Sequence, residues 1–402
     1  MAAPVGVAPE TSLSQTIKPG EHIIFRSDQA ADGPTLIAIG SLHGNEAAGA
    51  TALQRVTDRL GPISSRLKGR VIFLAGNTRA IARGERYIDS DLNRHWTSKN
   101  IEMNKVGDGA GPRSEDREQA ELLPLLTQLL GSAKDEVYAL DLHSTSAAGV
   151  PFATVGDTMR NRQFAMRFPV TILLGIEEQL DGTMLEYLNN LGTVTLGFEG
   201  GEHYAESTVD THEALVWLAL VYSGAIAEND VPDLSQHRKV LAAATGNARI
   251  VEVRYRYAIT PEQKFTMNPG FNNFDPIKKE QILANDLSGA IYANESGMIL
   301  MPLYQKLGED GFFVGREVAP FWIWLSGIVR RLKLAKLMPI LPGVRRSASD
   351  AETLEVDTAI ARFFPLQIFH LLGFRKRRWD GRSLRVSRRK FDTVSPFKRP
   401  AK

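Results

Sequence analysis

The sequence predicts an α/β fold with a mixed central sheet and helices on both of its faces. Through roughly the first 230 residues, short apolar runs rich in β-branched residues alternate with longer stretches of helical periodicity. That alternation is typical of a sheet covered by helices. The composition agrees, since 43% hydrophobic and 23% charged residues over 402 positions are ordinary values for a globular protein with a large core.

The elements of the predicted α/β domain follow from the length of each apolar segment, because short runs suit buried strands and longer amphipathic stretches suit helices. The predicted strands lie at residues 22–25, 35–39, 71–74, 137–142, 170–174 and 193–198. The predicted helices lie at residues 46–60, 114–130, 158–168 and 212–227.

From about residue 248 the pattern changes to short strand-like runs separated by Asn-Pro-Gly, Asp-Pro and Ser-Gly turns. These features predict a small β-rich domain. The expected organisation is therefore an N-terminal segment (1–20), the α/β domain (21–246), the β-rich domain (247–315) and a C-terminal extension (316–402).

The C-terminal extension differs from the rest of the chain in charge. Residues 316–402 contain 20 Lys/Arg and 7 Asp/Glu, whereas residues 1–315 contain 28 and 39. Its Trp- and Phe-rich apolar runs are shorter than the roughly 20 residues that cross a bilayer. We expect a basic, helical extension that packs on the rest of the chain or on a second subunit in a homo-oligomer. The alternative is contact with an anionic membrane surface; nucleic acid is disfavoured, because no recognition module accompanies the charge.

The absence of cysteine limits the possible metal sites and suggests a compartment. Disulfides and thiolate ligands are excluded, so a metal ion would have to be held by His, Asp or Glu. The N-terminal residues lack the basic and apolar stretches of a signal peptide. We therefore expect a cytoplasmic protein, with peripheral membrane association as an alternative.

Two candidate metal ligands, His43 and Glu46, follow the apolar run at residues 36–40. An imidazole and a carboxylate three positions apart, at the end of a strand, can converge on one ion and suit Zn²⁺ better than Mg²⁺. The alternative is a solvated polar loop, because His-x-x-Glu also arises by chance. His203 and Glu206 have the same spacing.

A third candidate ligand, His143, follows the apolar run at residues 137–142. Asp141 lies two positions earlier and so on the same side of a strand, where its carboxylate can orient the imidazole. The alternative is a core histidine with satisfied hydrogen bonds.

Two further segments carry charged groups suited to catalysis. The segment 86–94 contains two Arg, two Asp and one Asn, and a planar guanidinium can clamp a carboxylate or polarise a carbonyl. Its alternative is a solvated loop with internal ion pairs. Glu199 ends an apolar run before two glycines, where α/β sheets place catalytic groups, and a Glu beside a metal can transfer protons. An exposed loop acid is the alternative.

Four segments, taken in their order along the chain, resemble the succinylglutamate desuccinylase/aspartoacylase family of metallocarboxypeptidase-like zinc hydrolases. They are His43-Gly44-Asn45-Glu46, residues 86–94, Asp141-Leu142-His143 and the stretch around Glu199. The resemblance covers roughly residues 20–315. It implies a zinc-carboxypeptidase-like fold and hydrolysis of the amide bond of a small N-acyl amino acid.

The resemblance also assigns roles to individual residues. It implies one zinc ion with three ligands, namely His43, Glu46 and His143. It implies that Glu199 is the general base and acid and that Arg86 polarises the scissile carbonyl. Asn93 and Arg94 would hold a carboxylate of a small anionic substrate.

The chain departs from the family pattern in two places, both of which concern substrate recognition. Family members use a further Arg about ten residues before the catalytic Glu, but residues 188–191 contain none. They also use a Tyr from the C-terminal domain, for which Tyr304 is the candidate. Two other functions stay open, a metallocarboxypeptidase acting on peptides and a non-catalytic membrane-surface binding protein.

Overall fold

The computed structural model describes residues 17–29, 32–106, 111–177, 179–305, 307–348, 350, 352–357, 366–379 and 383–398. Most of the predicted N-terminal segment, residues 1–16, therefore lies outside the described residues. Residues 363–365, which belong to an apolar run in the C-terminal extension, also lie outside them. Within the described residues, eleven strands form one mixed sheet in the order β1-β3-β2-β4-β7-β5-β6-β8-β14-β13-β10.

The strands of this sheet that belong to the predicted α/β domain come first along the chain. They are β1 (Ile23–Asp28), β2 (Thr35–Gly40), β3 (Arg70–Ala75), β4 (Val137–Thr145), β5 (Phe152–Val155), β6 (Thr171–Leu174) and β7 (Val194–Glu202). Strand β2 pairs in parallel with β3 and β4, and β4 pairs in parallel with β7. Strands β1 and β5 pair antiparallel to β3 and β7, so the sheet is mixed as predicted.

Helices cover both faces of the sheet. They are α1 (Ala47–Leu60), α2 (Thr78–Arg83), α3 (Ser98–Val106), α4 (Ser114–Gly131), α5 (Met159–Ala165), α6 (Met184–Asn190), α7 (Glu206–Tyr222) and α8 (Leu234–Thr245). Alternate residues of β2 pack into two different cores: Leu36 contacts the core that contains residues of α1 and α7, and Ile37 contacts the core of α4 and α6. Because successive strand side chains point to opposite faces, this alternation confirms the predicted α/β architecture.

Several element boundaries differ from the predictions. Strand β4 continues through His143 to Thr145, and β7 continues through Glu199 and the two glycines to Glu202. Helix α7 begins at Glu206 rather than at residue 212. Polar side chains occupy each added stretch, so the apolar pattern that marks the elements stops before the backbone structure does.

The β-rich region extends the same sheet. It contributes β8 (Ile250–Ala258), β9 (Thr266–Met267), β10 (Pro276–Ile277), β11 (Ile282–Asp286), β12 (Gly289–Tyr292), β13 (Gly297–Leu300) and β14 (Asp310–Glu317). Strand β8 pairs in parallel with β6 and antiparallel with β14, whereas β9, β11 and β12 form a separate small sheet.

The C-terminal extension is not mainly helical, which corrects the expectation from its sequence. It contains α9 (Pro320–Arg331), α10 (Leu366–Leu371) and a four-stranded antiparallel sheet made of β15 (Val344–Arg346), β16 (Thr353–Asp357), β17 (Phe374–Trp379) and β18 (Ser383–Arg388). A small core that includes Val356, Phe369 and Val386 holds these elements together. Among the described residues, no helix is long and apolar enough to span a membrane.

Candidate metal centre and active site

The strand register brings the candidate residues to one edge of the sheet. Strands β2, β4 and β7 are parallel neighbours, so their carboxyl ends meet there. His143 on β4 is the register partner of Glu199 on β7. Partners in register project to the same face, as does Asp141 two residues before His143. Sheet geometry therefore places an imidazole and two carboxylates on one side of this edge.

A tight turn after β2 adds His43 and Glu46. Ser41 has φ of 59°, in the left-handed region, and its Oγ donates a 2.9 Å hydrogen bond to the carbonyl oxygen of Glu46. Gly44 passes so close to α2 that a Cβ there would lie 2.2 Å from the carbonyl carbon of Ala80. A side chain at that position would displace the turn, because contacts below 3 Å are not tolerated.

The three candidate metal ligands converge. One ligand atom from each of His43, Glu46 and His143 lies within 4.8 Å of the others. Nδ1 of His43 is 2.9 Å from Oε1 of Glu46, and Nδ1 of His143 is 3.1 Å from Oε2. All three residues are buried. Two imidazoles and one carboxylate, two of them from the turn after β2 and one from β4, are a donor set that suits a catalytic zinc ion with an open position.

Two carboxylates hold the far sides of the imidazoles. Nε2 of His43 lies 3.1 Å from Oδ1 of Asp91, and Nε2 of His143 lies 2.7 Å from Oδ2 of Asp141. Each carboxylate accepts from an Nε2–H, which leaves both Nδ1 lone pairs directed at the cluster. This is how partner carboxylates orient metal-binding histidines. The sequence predicted this arrangement for Asp141, whereas the corresponding role of Asp91 was missed.

The electrostatics of the cluster favour positive charge. Burial opposes the ionisation of Glu46, but His43 and His143 outweigh it and hold the pKa of Glu46 well below its usual value. Burial likewise opposes protonation of His143, but Asp141 and Glu46 raise its pKa well above the usual value. Carboxylates therefore surround each imidazole, and the residues present fit a divalent cation at this point.

Glu199 lies beside the cluster without a fixed partner. Its Oε2 is enclosed and has no hydrogen-bond partner among the described residues. Burial raises the pKa of Glu199 to about 8; His143 opposes the shift, and Glu46 and Asp141 add to it. A carboxylate that can hold a proton near neutral pH is suited to acid–base work. An enclosed carboxylate oxygen without a protein partner can accept a hydrogen bond from a ligand or a water molecule.

Arg86 is fixed against the cluster by two carboxylates. Nη1 donates to Oε1 of Glu46 at 3.2 Å, and Nη2 donates to Oδ2 of Asp91 at 3.1 Å. Its enclosed Nε has no hydrogen-bond partner among the described residues. Asn93 is held through its Oδ1, which accepts from the Met184 amide at 3.0 Å. Its Nδ2 lies 3.3 Å from Nε2 of His143, whose hydrogen is already donated to Asp141.

Arg94, the second predicted clamp for a substrate carboxylate, already holds a carboxylate of the chain. Its Nη2 donates to Oδ2 of Asp310 at 2.8 Å, and Asp310 also accepts from Nε of Arg256. Both partners come from the β-rich region, on β14 and β8. An anionic substrate that used Arg94 would have to compete with Asp310.

One cavity of about 160 Å³ unites the predicted residues. Its lining includes all seven site candidates, namely His43, Glu46, Arg86, Asn93, Arg94, His143 and Glu199. Two other candidates from the sequence lie elsewhere. The hydroxyl of Tyr304 donates to the carbonyl of Asn268 at 3.0 Å and accepts from the Phe271 amide at 3.0 Å, so it closes a turn. His203 contacts Oγ of Ser144 at 2.8 Å and is not part of the ligand cluster.

The loop that carries Arg86 is held by a buried residue that the sequence did not single out. Glu115, on the first turn of α4, accepts hydrogen bonds from the backbone amides of Ile88, Asp89 and Ser90. It is fully buried. The acidic start of α4 at residues 115 and 116 was the available signal, but such residues are common at helix N-termini for another reason, the helix dipole.

Part of the chain that carries this site is similar in sequence to known proteins. The family model of the succinylglutamate desuccinylase/aspartoacylase catalytic domain matches residues 32–216. The chain is 33% identical over 114 residues to a succinylglutamate desuccinylase of Pseudomonas aeruginosa (strain LESB58). The aligned residues are 28% of this chain and 32% of the relative. A succinylglutamate desuccinylase of Burkholderia cenocepacia is 29% identical over 124 residues, or 31% of this chain and 34% of the relative. The chain thus matches about a third of the length of these curated relatives.

Solved structures extend the similarity of fold beyond the matched sequence. A succinylglutamate desuccinylase/aspartoacylase from Rhodobacter sphaeroides superposes with a TM-score of 0.53 at 19% identity, over 72% of this chain and 87% of that one. A succinylglutamate desuccinylase from Vibrio parahaemolyticus gives 0.52 at 16% identity, over 72% and 83%. The similarity of fold to these structures extends over 72% of the chain.

Proposed function

We propose that this chain, whose residues 32–216 form a catalytic domain of the succinylglutamate desuccinylase/aspartoacylase family, is a zinc-dependent hydrolase that cleaves the amide bond of a small N-acyl amino acid. One observation carries the proposal. Three ligand atoms within 4.8 Å of one another share a cavity with the unpartnered carboxylate of Glu199. A metal site with a proton-transfer group beside it is what hydrolysis of an amide requires.

In this proposal the chain holds one zinc ion through Nδ1 of His43, Nδ1 of His143 and the carboxylate of Glu46. When bound, Zn²⁺ would lower the pKa of a water molecule from about 15.7 to about 7 and would act as a Lewis acid toward the carbonyl oxygen. Asp91 and Asp141 keep the two imidazoles in the tautomer that presents Nδ1.

Glu199 carries the proton in this mechanism. A neighbouring divalent charge favours its carboxylate form and so lowers its pKa from about 8. The carboxylate accepts a proton from the attacking water and then donates it to the leaving nitrogen. Since no described residue competes for its Oε2, Glu199 can alternate between these two states without breaking another hydrogen bond.

Arg86 stabilises the negative charge that develops on the carbonyl oxygen. Its two terminal nitrogens are bound by Glu46 and Asp91, which fixes the plane of the guanidinium. Each terminal nitrogen has a second N–H, and Arg86 lines the cavity, so a donor remains for the substrate. A donor held in place before the reaction stabilises the transition state without a cost of reorientation. Asn93 and Arg94 also line the cavity, and we assign them to the substrate carboxylate, with Asp310 as competitor for Arg94.

The size of the cavity supports a small substrate over a peptide. Its volume of about 160 Å³ is below the roughly 300 Å³ at which pockets for drug-sized ligands begin. An acyl group and one amino acid fit such a space better than several residues of an extended chain.

A substrate panel tests the proposal. The full chain, stripped of metal by chelation and then reloaded with zinc, would be assayed with N-acyl amino acids that differ in both halves, succinylglutamate among them, and with dipeptides and longer peptides. The proposal expects release of the free amino acid from at least one N-acyl amino acid, only in the zinc-loaded form. Cleavage of peptides alone would indicate a carboxypeptidase, and turnover of nothing would favour the binding protein.

A further inference from the structure

The C-terminal extension presents an apolar patch to solvent instead of burying it. Five large apolar side chains on α9 and on the 3₁₀ segment Leu334–Ile340, together with Leu332 between the two elements, are 48–77% exposed. We define the apolar patch by six residues, namely Phe321, Trp322, Trp324, Leu332, Leu337 and Ile340. Scattered exposed apolar residues are ordinary, but a cluster of this kind on one surface marks an interaction site.

Within each of the two segments, the spacing of the exposed apolar side chains places them together. In the 3₁₀ segment Leu334–Ile340, side chains three positions apart share a face. Ala335 and Met338 face the core of the extension and are buried, whereas Leu337 and Ile340 face outward. On α9 the rings of Phe321 and Trp324 lie 5.9 Å apart.

The segment that carries the patch is basic. From residue 318 to residue 349 the sequence contains six Lys or Arg and no Asp or Glu. Lys333 and Lys336 are exposed, lie between the apolar positions and form no ion pair among the described residues. Arg330 is the exception, since it is buried in an ion pair with Asp157 that anchors α9 to the body of the protein at 2.9 Å.

From these features we propose that the apolar patch docks the protein on an anionic lipid bilayer surface. Trp and Phe favour the membrane–water interface, and flanking Lys and Arg are attracted to anionic headgroups. A second copy of the chain fits less well, because a two-fold interface would place each basic rim against its own copy. The proposal holds whether or not the chain has the hydrolase activity proposed above.

Vesicle co-sedimentation of the full chain tests this proposal. The probes are phosphatidylcholine vesicles and vesicles in which one third of the lipid is phosphatidylglycerol. We expect pelleting with the second kind and at most weak pelleting with the first, with salt reducing it. Replacing Lys333 and Lys336 with Gln should weaken partitioning by about 25-fold, at about fivefold per charge near the surface. The matched control is the double variant Lys278→Gln/Lys279→Gln, whose exposed lysines lie in the β-rich region and whose partitioning should equal wild type.

A second pair of variants tests the apolar contribution. Trp324→Gln with Ile340→Gln removes two of the most exposed side chains of the patch and should abolish measurable pelleting, whereas Leu287→Gln, also an exposed apolar residue, should leave it unchanged. Equal pelleting of the patch variants and wild type would overturn the proposal. So would the absence of pelleting by wild type together with a dimer, seen by light scattering, that the patch variants lose.

Discussion

Charged groups are buried both in the active-site cavity and where the C-terminal extension packs against the rest of the chain, a region that we call the base of the extension. The two regions differ in how these charges are paired. At the base of the extension the charges compensate one another: Asp157, whose side chain is 0% exposed, pairs with Arg162, Arg330 and Arg375. In the cavity some groups are left unpaired, notably Oε2 of Glu199 and Nε of Arg86. Single atoms without a hydrogen-bond partner occur in both places, among them Oδ1 of Asp157 and Nη1 of Arg162 at the base. The difference is in charge: Asp157 contacts guanidinium groups, whereas Glu199 forms no ion pair among the described residues, which leaves its carboxylate open to a ligand.

The comparison also explains the uneven charge of the chain. The acidic body and the basic extension meet in ion pairs such as Glu177 with Arg389 and Glu252 with Arg375. Part of the positive charge of residues 316–402 therefore serves to dock the extension. Lys333 and Lys336 are among the residues that do not take part in this docking.

The largest effect is expected from Glu199→Gln. Loss of the proton-transfer group should lower kcat by about 10²–10⁴-fold, while the zinc content stays at that of wild type because Glu199 is not a ligand. Steady-state kinetics and metal analysis on the same sample check this. The matched control is Glu202→Gln, three residues further along β7 and exposed. Wild-type turnover in Glu199→Gln would mean that Glu199 is not needed for catalysis, and the cavity would then not differ in function from the base of the extension.

Asp157→Asn should have the second-largest effect, on stability instead of activity. Three guanidiniums would lose the charge that compensates them, so we expect the free energy of unfolding to fall by about 3–5 kcal/mol. Urea titration followed by circular dichroism measures it. In Glu355→Gln, which breaks the more exposed pair with Arg385, the loss should stay below about 1 kcal/mol. Equal losses of unfolding free energy in both variants would mean that the buried ion pairs of Asp157 stabilise the protein no more than the exposed pair does.

Asp310→Asn tests whether Arg94, which is paired with Asp310, is available to bind a substrate carboxylate. If Arg94 binds a substrate carboxylate, removal of the competing charge should lower KM for an anionic substrate several-fold and leave kcat nearly unchanged, because the change affects binding and not chemistry. The measurement is KM for an anionic and a neutral N-acyl amino acid. A KM that rises for both would show that the pair of Arg94 and Asp310 supports the cavity structurally.

A pH dependence is expected at the base of the extension, where it appears only in acid. Burial would raise the pKa of Glu252, but the hydrogen bond to His370 and the charge of Arg375 outweigh it and lower that pKa from 4.5 to about 2. A lowered pKa in the folded state stabilises the protein above pH 4.5, and the stabilisation is lost as the pH falls toward 2. The difference in unfolding free energy between wild type and Glu252→Gln should therefore shrink below pH 4.5. A constant difference from pH 7 to pH 3 would contradict this.

The metal ligands could be predicted from the sequence, but their surroundings could not. His43 and His143 follow apolar runs that predict strands, and parallel strands bring their ends together. The pairing of Arg94 with Asp310 joins positions 216 residues apart, and an ion pair leaves no periodic trace in either segment. Asp91 was part of a recognised motif, yet only the fold shows that it contacts His43.

The extension was predicted less well for a related reason. Residues 374–379 consist of four basic residues between two aromatic ones, a composition that indicates a solvated cluster rather than strand β17. Arg375 is nevertheless buried, because Asp157 and Glu252 pair with it. Composition describes a segment by itself and cannot show which distant acids will neutralise it.

Zinc stoichiometry tests the central claim most directly. Metal analysis by mass spectrometry should give one zinc per chain for wild type and close to none for His143→Ala. In His203→Ala, which removes another buried histidine outside the cluster, the value should stay at one. Wild-type zinc content in His143→Ala, or loss of zinc in His203→Ala alone, would contradict the assignment of His43, Glu46 and His143 as the metal site.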